Sequence, residues 1–307
     1  MIWSVLIHLS YNMWEDHPVE ARHGQHGYMP DLCFDEKLWD DVLKAIADAG
    51  MNMVVLDLGD AVQYESHPEI AVKGAWTPAR LKKELARIRK LGIEPIPKLN
   101  FATTHDAWLA EYARCVSTER YYAVCRDLIA EAITIFDKPR LFHLGMDEET
   151  AEHQRNHHYA VVRQGDLWWH DFLFLVEQVE KGGVRSWIWS DYVWHHPELF
   201  FARMPKSVLQ SNWYYGTDFG DTVKAVKAYR DLESHGYDQM PTGSNHSGPE
   251  NFGKTVEYCA RHIPAERLLG FFQTVWRPMI EPYRENQIAA VQQVGEAKAA
   301  FRRGSGV

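Results

Sequence analysis

The chain has 307 residues, with 33 Lys and Arg against 42 Asp and Glu, for a formal charge of −9. That length buries a sizeable core as one large or two small domains, and 46% hydrophobic with 24% charged residues excludes global disorder. The acidic balance argues against nucleic acid as a partner, because a phosphate-backbone binder needs clustered Lys and Arg. No run approaches the roughly 20 apolar residues of a membrane span.

The first apolar, β-rich run is 2–8. No basic stretch precedes it, so no export segment is visible, and the expected location is the cytoplasm. Residues 35–49 then carry Leu38, Val42, Leu43, Ile46 and Ala49 at helical spacing, with Gly50 as a stop. A second run, 52–58, precedes a helix over 77–91, where Thr77 is the N-cap, Pro78 the first helical residue and Gly92 the end. Runs 93–99, 141–145, 185–189, 207–213, 239–245 and 268–275 follow, with helical stripes over 121–136, 166–180, 222–235 and 286–301. Several runs are apolar on consecutive residues, which suits parallel strands covered on both faces. Eight β/α units in this length predict a single (β/α)₈ TIM barrel over 1–307. A doubly wound sheet is the competitor, but no G-x-G-x-x-G follows the first run. Cys33, Cys115, Cys125 and Cys259 form no C-x-x-C pair and read as small apolar residues.

In such a barrel, chemistry sits at the C-terminal ends of the strands. The residues there are His8, Tyr11 and Trp14, then Asp57 and Asp60, then Asn100, His105 and Asp106. Asp147 and Glu148 come next, then Trp189, Asp191 and Trp194, then Trp213, Tyr214 and Tyr215, and last Asn245, His246, Trp276 and Arg277. The most specific stretch runs from Leu141 to Glu149 and ends a strand in adjacent carboxylates. Neighbouring strand residues point to opposite faces. Asp147 and Glu148 share a site only if the chain turns there, and Gly145 permits that turn. Crowding makes double ionisation costly, so one of the two is expected to keep its proton, as a general acid requires. The 12 Trp, 14 Tyr and 13 Phe supply either a large core or flat walls for a sugar ring.

His143-Leu144-Gly145-Met146-Asp147-Glu148 resembles the His-x-Gly-Gly-Asp-Glu strand of glycoside hydrolase family 20, the β-N-acetylhexosaminidases. The likeness extends through 52–60, Tyr64 and 68–70, through 77–97 with His105, through 187–191, and to Trp276. There are departures. The first strand has Ile7-His8-Leu9-Ser10-Tyr11 where the family has an Arg, and Met146 replaces a Gly. Pro97-Lys98 replaces Pro-Glu, Thr103-Thr104-His105 replaces Pro-Gly-His, and the family's accessory N-terminal domain has no counterpart. These point to a divergent relative or a sister family.

The resemblance implies a retaining, substrate-assisted exo-glycosidase without cofactor or metal, acting on a terminal β-linked N-acetylhexosamine, GlcNAc or GalNAc. Glu148 would be the acid and then the base. Asp147 would bind the N–H of the 2-acetamido group. Trp189, Trp213 and Trp276 would pack on the sugar, and Tyr214 or Tyr215 would bind the acetamido oxygen. His105, Asp60, Asp191 and Arg277 complete the expected substrate contacts. Two other readings stay open. One is a metal-dependent barrel hydrolase or isomerase, prompted by the 16 His, although no H-E-x-x-H occurs. The other is a non-catalytic carbohydrate-binding barrel. A barrel with few accessory elements is also a candidate homo-oligomer.

Overall fold

Every expected strand forms. β1 is Ile2–His8, β2 Met53–Asp57, β3 Glu94–Lys98, β4 Leu141–His143, β5 Arg185–Trp189, β6 Leu209–Ser211, β7 Thr242–Ser244 and β8 Gly270–Thr274. The positions come from a computed structural model that describes residues 1–19 and 27–305. The eight strands are parallel, in the order β6-β5-β4-β3-β2-β1-β8-β7. β6 and β7 meet through single bridges, Gln210 to Gln239 and Trp213 to Thr242. There Met240 N–H donates to the Gln210 carbonyl and Thr242 N–H to that of Asn212, each at 2.9 Å. These bonds close the sheet into a barrel.

The helices that pack outside it are α1 Glu36–Asp48, α2 Pro78–Lys90, α3 Glu119–Ile135, α4 Gly165–Lys181, α5 Tyr192–His195, α6 Pro197–Arg203, α7 Lys224–Ser234, α8 Asn251–His262 and α9 Arg284–Ser305. Thr77 caps as its sequence signal predicts, accepting the Arg80 N–H at 3.2 Å. Asp35, read in the sequence as the first helical residue, is the N-cap of α1 and accepts the Leu38 N–H at 3.0 Å. Each cap is worth about 1 kcal/mol. α5, α6 and α8 were not expected. α8 still buries Phe252, Val256 and Cys259 on one side, a spacing of four and three that a helix requires. Gly253, Thr255 and Val256 weaken its helical signal in the sequence.

The strands are buried on both faces, which explains their unbroken apolar runs. Leu6, Met53, Val55, Ile96, Leu141, Trp187, Leu209, Met240 and Phe272 fill the barrel interior. Val5, Ile7, Val54 and Leu56 face outward into the larger cluster with Leu38, Val42 and Leu81. At the C-terminal end the interior turns polar. His8, Asp57, Lys98 and His143 are in-register neighbours on β1 to β4 and lie side by side in one row.

Candidate active site

Asp147 and Glu148 emerge just past β4. Gly145 has φ 74°, and a Cβ there would lie 1.9 Å from Asn100 Oδ1. Met146 (φ 77°) and Glu148 (φ 53°) also adopt left-handed angles, at a cost on the order of 1–2 kcal/mol each. This turn breaks the strand alternation and brings both carboxylates to one mouth. Asn100 holds it in place. Its Oδ1 accepts the N–H groups of Ala102 at 3.0 Å and Met146 at 3.2 Å, and its Nδ2 donates to Asp147 Oδ1 at 2.8 Å. His105 bridges the pair, with Nδ1 3.5 Å from Asp147 Oδ1 and Nε2 3.8 Å from Glu148 Oε2. Asp191 joins from behind β5: Oδ2 accepts the Glu148 N–H at 2.9 Å and Oδ1 the Trp213 Nε1–H at 3.2 Å.

Three carboxylates therefore crowd one site, and Asp191 joins the pair that the sequence singles out. Burial, then the charge of Asp147, pushes Asp191 up to about 8. Burial also pushes Glu148 up, but pairing with His153 and the charges of His105 and His153 outweigh it and hold Glu148 below the ordinary range. His153 Nε2 lies 3.5 Å from Glu148 Oε1, and its Nδ1 lies 2.7 Å from the Thr150 hydroxyl. Burial and Asp147 thus favour the protonated form of Asp191, and His153 favours the ionised form of Glu148.

Aromatic rings contact the neighbours of the pair: Trp14 packs on His105 and Trp213 bonds Asp191. Trp189 and Trp276 lie 6.0 Å apart between ring centroids, and Trp213 stacks on Tyr215 at 4.9 Å. Tyr215 Oη accepts the Trp276 Nε1–H at 2.9 Å, which ties β6 to β8 across the mouth. Trp14 adds an edge to His105 at 4.8 Å and to Trp276 at 5.7 Å. Trp276 itself has φ 52°, a further strained residue at this mouth.

Some expected residues lie elsewhere. Tyr214 packs on Phe219 at 5.3 Å, against the outer core, because consecutive residues after β6 still alternate in direction. Of the two tyrosines, Tyr215 is the one that faces the site. Asp60 is 0% exposed and sits under the loop after β1, where it accepts from Ser10 Oγ at 2.5 Å and Asn12 Nδ2 at 2.8 Å. Burial raises it to about 7. It anchors the segment that carries Tyr11 and Trp14 and does not line the mouth. Arg277 donates to the Trp276 carbonyl at 2.8 Å and covers the Tyr283 ring, so its guanidinium is occupied at the rim.

Sequence reasoning missed three contributors. Asn100 was named only as a strand-end residue, although its side chain orients Asp147. His153 is one of 16 His and no motif marks it, and only the turn after β4 brings it to Glu148. Lys98 was noted as a departure and proves to be 0% exposed, bonded to Asp57 at 2.6 Å. A cleft of about 540 Å³ opens on the outer side of Glu148, walled by His153, Trp194, His195 and His196 among others. The ligating atoms of His105, Asp147 and Glu148 lie within 4.8 Å of one another, which is compact enough to hold a metal ion.

No protein-family model matches the chain, and no curated protein matches it in sequence. Solved structures do match. The Vibrio harveyi family 20 exo-β-N-acetylglucosaminidase, in complex with N-acetylglucosamine, superposes with a TM-score of 0.62 at 12% identity over 99% of this chain. The Bacteroides fragilis β-N-acetylhexosaminidase gives 0.64 at 13% over 94%. The fold is shared with family 20 hexosaminidases. Dispersin B gives 0.57 at 15% identity, covering 97% of this chain and 99% of its own. The chain spans 57% of the Vibrio enzyme and 65% of the Bacteroides enzyme.

Proposed function

We propose that the chain is an exo-acting, retaining β-N-acetylhexosaminidase-like glycoside hydrolase that uses the substrate's own 2-acetamido group as nucleophile. The observation that carries this reading is the turn at residues 145–148, which sets Asp147 and Glu148 side by side, against His105 with Trp14 on it and Asp191 with Trp213 on it. Two-carboxylate retaining enzymes place their acids about 5–5.5 Å apart on opposite sides of the scissile bond, whereas substrate-assisted enzymes need only one acid and one polariser.

Each step assigns a proton. Glu148 gives its proton to the glycosidic oxygen, and the C1–O bond breaks with its electron pair on that oxygen. The acetamido carbonyl oxygen bonds to C1 and forms an oxazolinium. Asp147, oriented by Asn100, accepts the amide N–H and balances the new positive charge. Glu148 carboxylate then takes a proton from water, whose oxygen bonds to C1 as the oxazolinium opens. Trp189 and Trp276 pack on the ring, and the Tyr215 hydroxyl meets the acetamido oxygen. For Glu148 to enter this cycle protonated, the sugar must exclude water and end the His153 pairing, both of which raise a carboxyl pKa.

An acetamido series tests the mechanism. Rates on aryl β-glycosides bearing acetyl, fluoroacetyl and trifluoroacetyl groups fall steeply with fluorination if the carbonyl attacks. A flat series contradicts it. The His105–Asp147–Glu148 cluster keeps a metal-dependent reading open as the second possibility. Full activity after exhaustive chelation, with no metal detected, counts against that alternative, and activity restored only by a divalent ion favours it.

A further inference from the structure

Glu148 turns its two oxygens to different surroundings. Oε2 lies 3.8 Å from Nε2 of His105, whose side chain is 2% exposed, and Oε1 lies 3.5 Å from Nε2 of His153, whose side chain is 44% exposed. The Oε1 side is therefore the open one, and there Glu148 and His153 line the cleft of about 540 Å³. A second wall of that cleft is the short α5 and the residue after it. Buried Val193 anchors this segment to the core. Tyr192 stacks on Trp168 at 4.3 Å, and the His196 ring lies 4.9 Å from that of Tyr192. Trp194 donates its Nε1–H to Asn212 Oδ1 at 2.8 Å and meets Trp213 edge-on at 4.5 Å. The wall is thus held in place by the fold itself, while His195 and His196 stay exposed on it.

A general acid gives its proton to the leaving-group oxygen, so the group that departs lies against the open side of Glu148. The walls indicate its chemistry. Aromatic rings beside exposed polar side chains suit a sugar, which has apolar C–H faces and a rim of hydroxyls. Burial, then Lys224 and His196, lower the His195 pKa, and a neutral imidazole offers a hydroxyl one donor and one acceptor. Charge on the aglycone is disfavoured. An anion would sit beside Glu148 and near Asp147 and Asp191, and a cation would hold the Glu148 carboxyl ionised when it must carry a proton. We propose that this cleft receives the leaving group as a neutral second sugar, and that Trp194, His195 and His196 set which aglycone is cleaved. The inference rests on the hexosaminidase reading and adds to it the class of aglycone.

The test varies the leaving group on one glycone. Wild type, Trp194→Ala and the double variant His195→Ala with His196→Ala are assayed on the methyl β-N-acetylhexosaminide and on its β1,3-, β1,4- and β1,6-linked N-acetylhexosamine disaccharides. Matching disaccharides that end in a uronic acid or in unacetylated glucosamine supply the charged aglycones. Every leaving group is an alcohol, so the ratio of disaccharide to methyl glycoside isolates the second ring. Thermal melts check that each variant is folded. The expected result with wild type is that one neutral disaccharide exceeds the methyl glycoside by roughly 10- to 100-fold in kcat/KM and exceeds its charged counterparts. That ratio falls by about 5-fold or more in the folded variants. Wild-type ratios within about 3-fold of one for every linkage overturn the proposal without any variant. A ratio that survives unchanged in both folded variants, or a charged second ring preferred to the neutral one, also overturns it. Aryl glycosides separate the two levels. Release of 4-nitrophenol without preference for a second sugar overturns the inference alone, whereas no turnover of any glycoside fails the functional reading, and the inference with it.

Discussion

At the scale of single residues, the site depends on where protons sit. His153 is positively biased by Glu148 and in turn lowers it. The His153→Gln variant therefore keeps Glu148 protonated to higher pH. Because kcat/KM reports the free enzyme's groups, its alkaline limb should move upward in the variant, as a pH–rate profile would show. An unchanged limb would mean that His153 does not influence the acid. Side-chain direction after β6 makes a second prediction. Tyr215→Phe should lower kcat/KM by about 10-fold through one lost hydrogen bond in the site. Tyr214→Phe should stay within about 2-fold, since its ring packs on Phe219. Equal effects in a side-by-side assay would contradict the assignment.

At the scale of elements, the eight strands were legible because each is a short apolar run bounded by helix stops such as Gly50 and Gly92. The Thr77 cap was legible for the same local reason. The polar row was not. Its members sit on four separate strands, and only the registers that pair His8 with Asp57, Asp57 with Lys98 and Lys98 with His143 make them neighbours. Asp191 was named in the sequence, but its place behind Glu148 depends on three-dimensional crowding. The adjacency of Asp147 and Glu148 was visible, whereas the pairing of Glu148 with His153 was not. The turn itself is a structural test: Gly145→Ala adds a Cβ 1.9 Å from Asn100 Oδ1 at φ 74°. It should lower stability by about 2–4 kcal/mol and misplace both acids. A denaturant titration showing near-wild-type stability would refute the close approach. Lys98→Ala should cost about 3–5 kcal/mol, because Asp57 would lose its charged partner in a buried row.

At the scale of the whole molecule, buried titratable groups set how stability varies with pH. Asp60 is raised to about 7 and Asp191 to about 8, so each binds a proton in the folded state at pH values where an unfolded Asp has lost it. Their contribution is complete below the ordinary Asp range and is lost as pH rises through 7 to 8. His8 and His143 act in the opposite sense. Held neutral by burial, they oppose folding as pH falls below the ordinary His value of 6.5. Asp57, for which Lys98 and His8 outweigh the cost of burial, is held at about 2, and its contribution disappears only as pH falls towards that value. The melting temperature should therefore rise as pH drops from about 8.5 to 6.5 and then level off. A monotonic fall over the upper range would contradict the placement of the Asp60 and Asp191 protons.

The proposed function makes Glu148, beside Asp147, the acid for β-N-acetylhexosaminide cleavage. Release of 4-nitrophenol from the β-GlcNAc and β-GalNAc glycosides, by wild type and by Glu148→Gln, decides it. Turnover of at least one sugar by wild type is predicted, with a loss of about 10²–10⁴-fold in kcat/KM for the folded variant. No turnover of either sugar by folded wild type, or full activity in the variant, would contradict it.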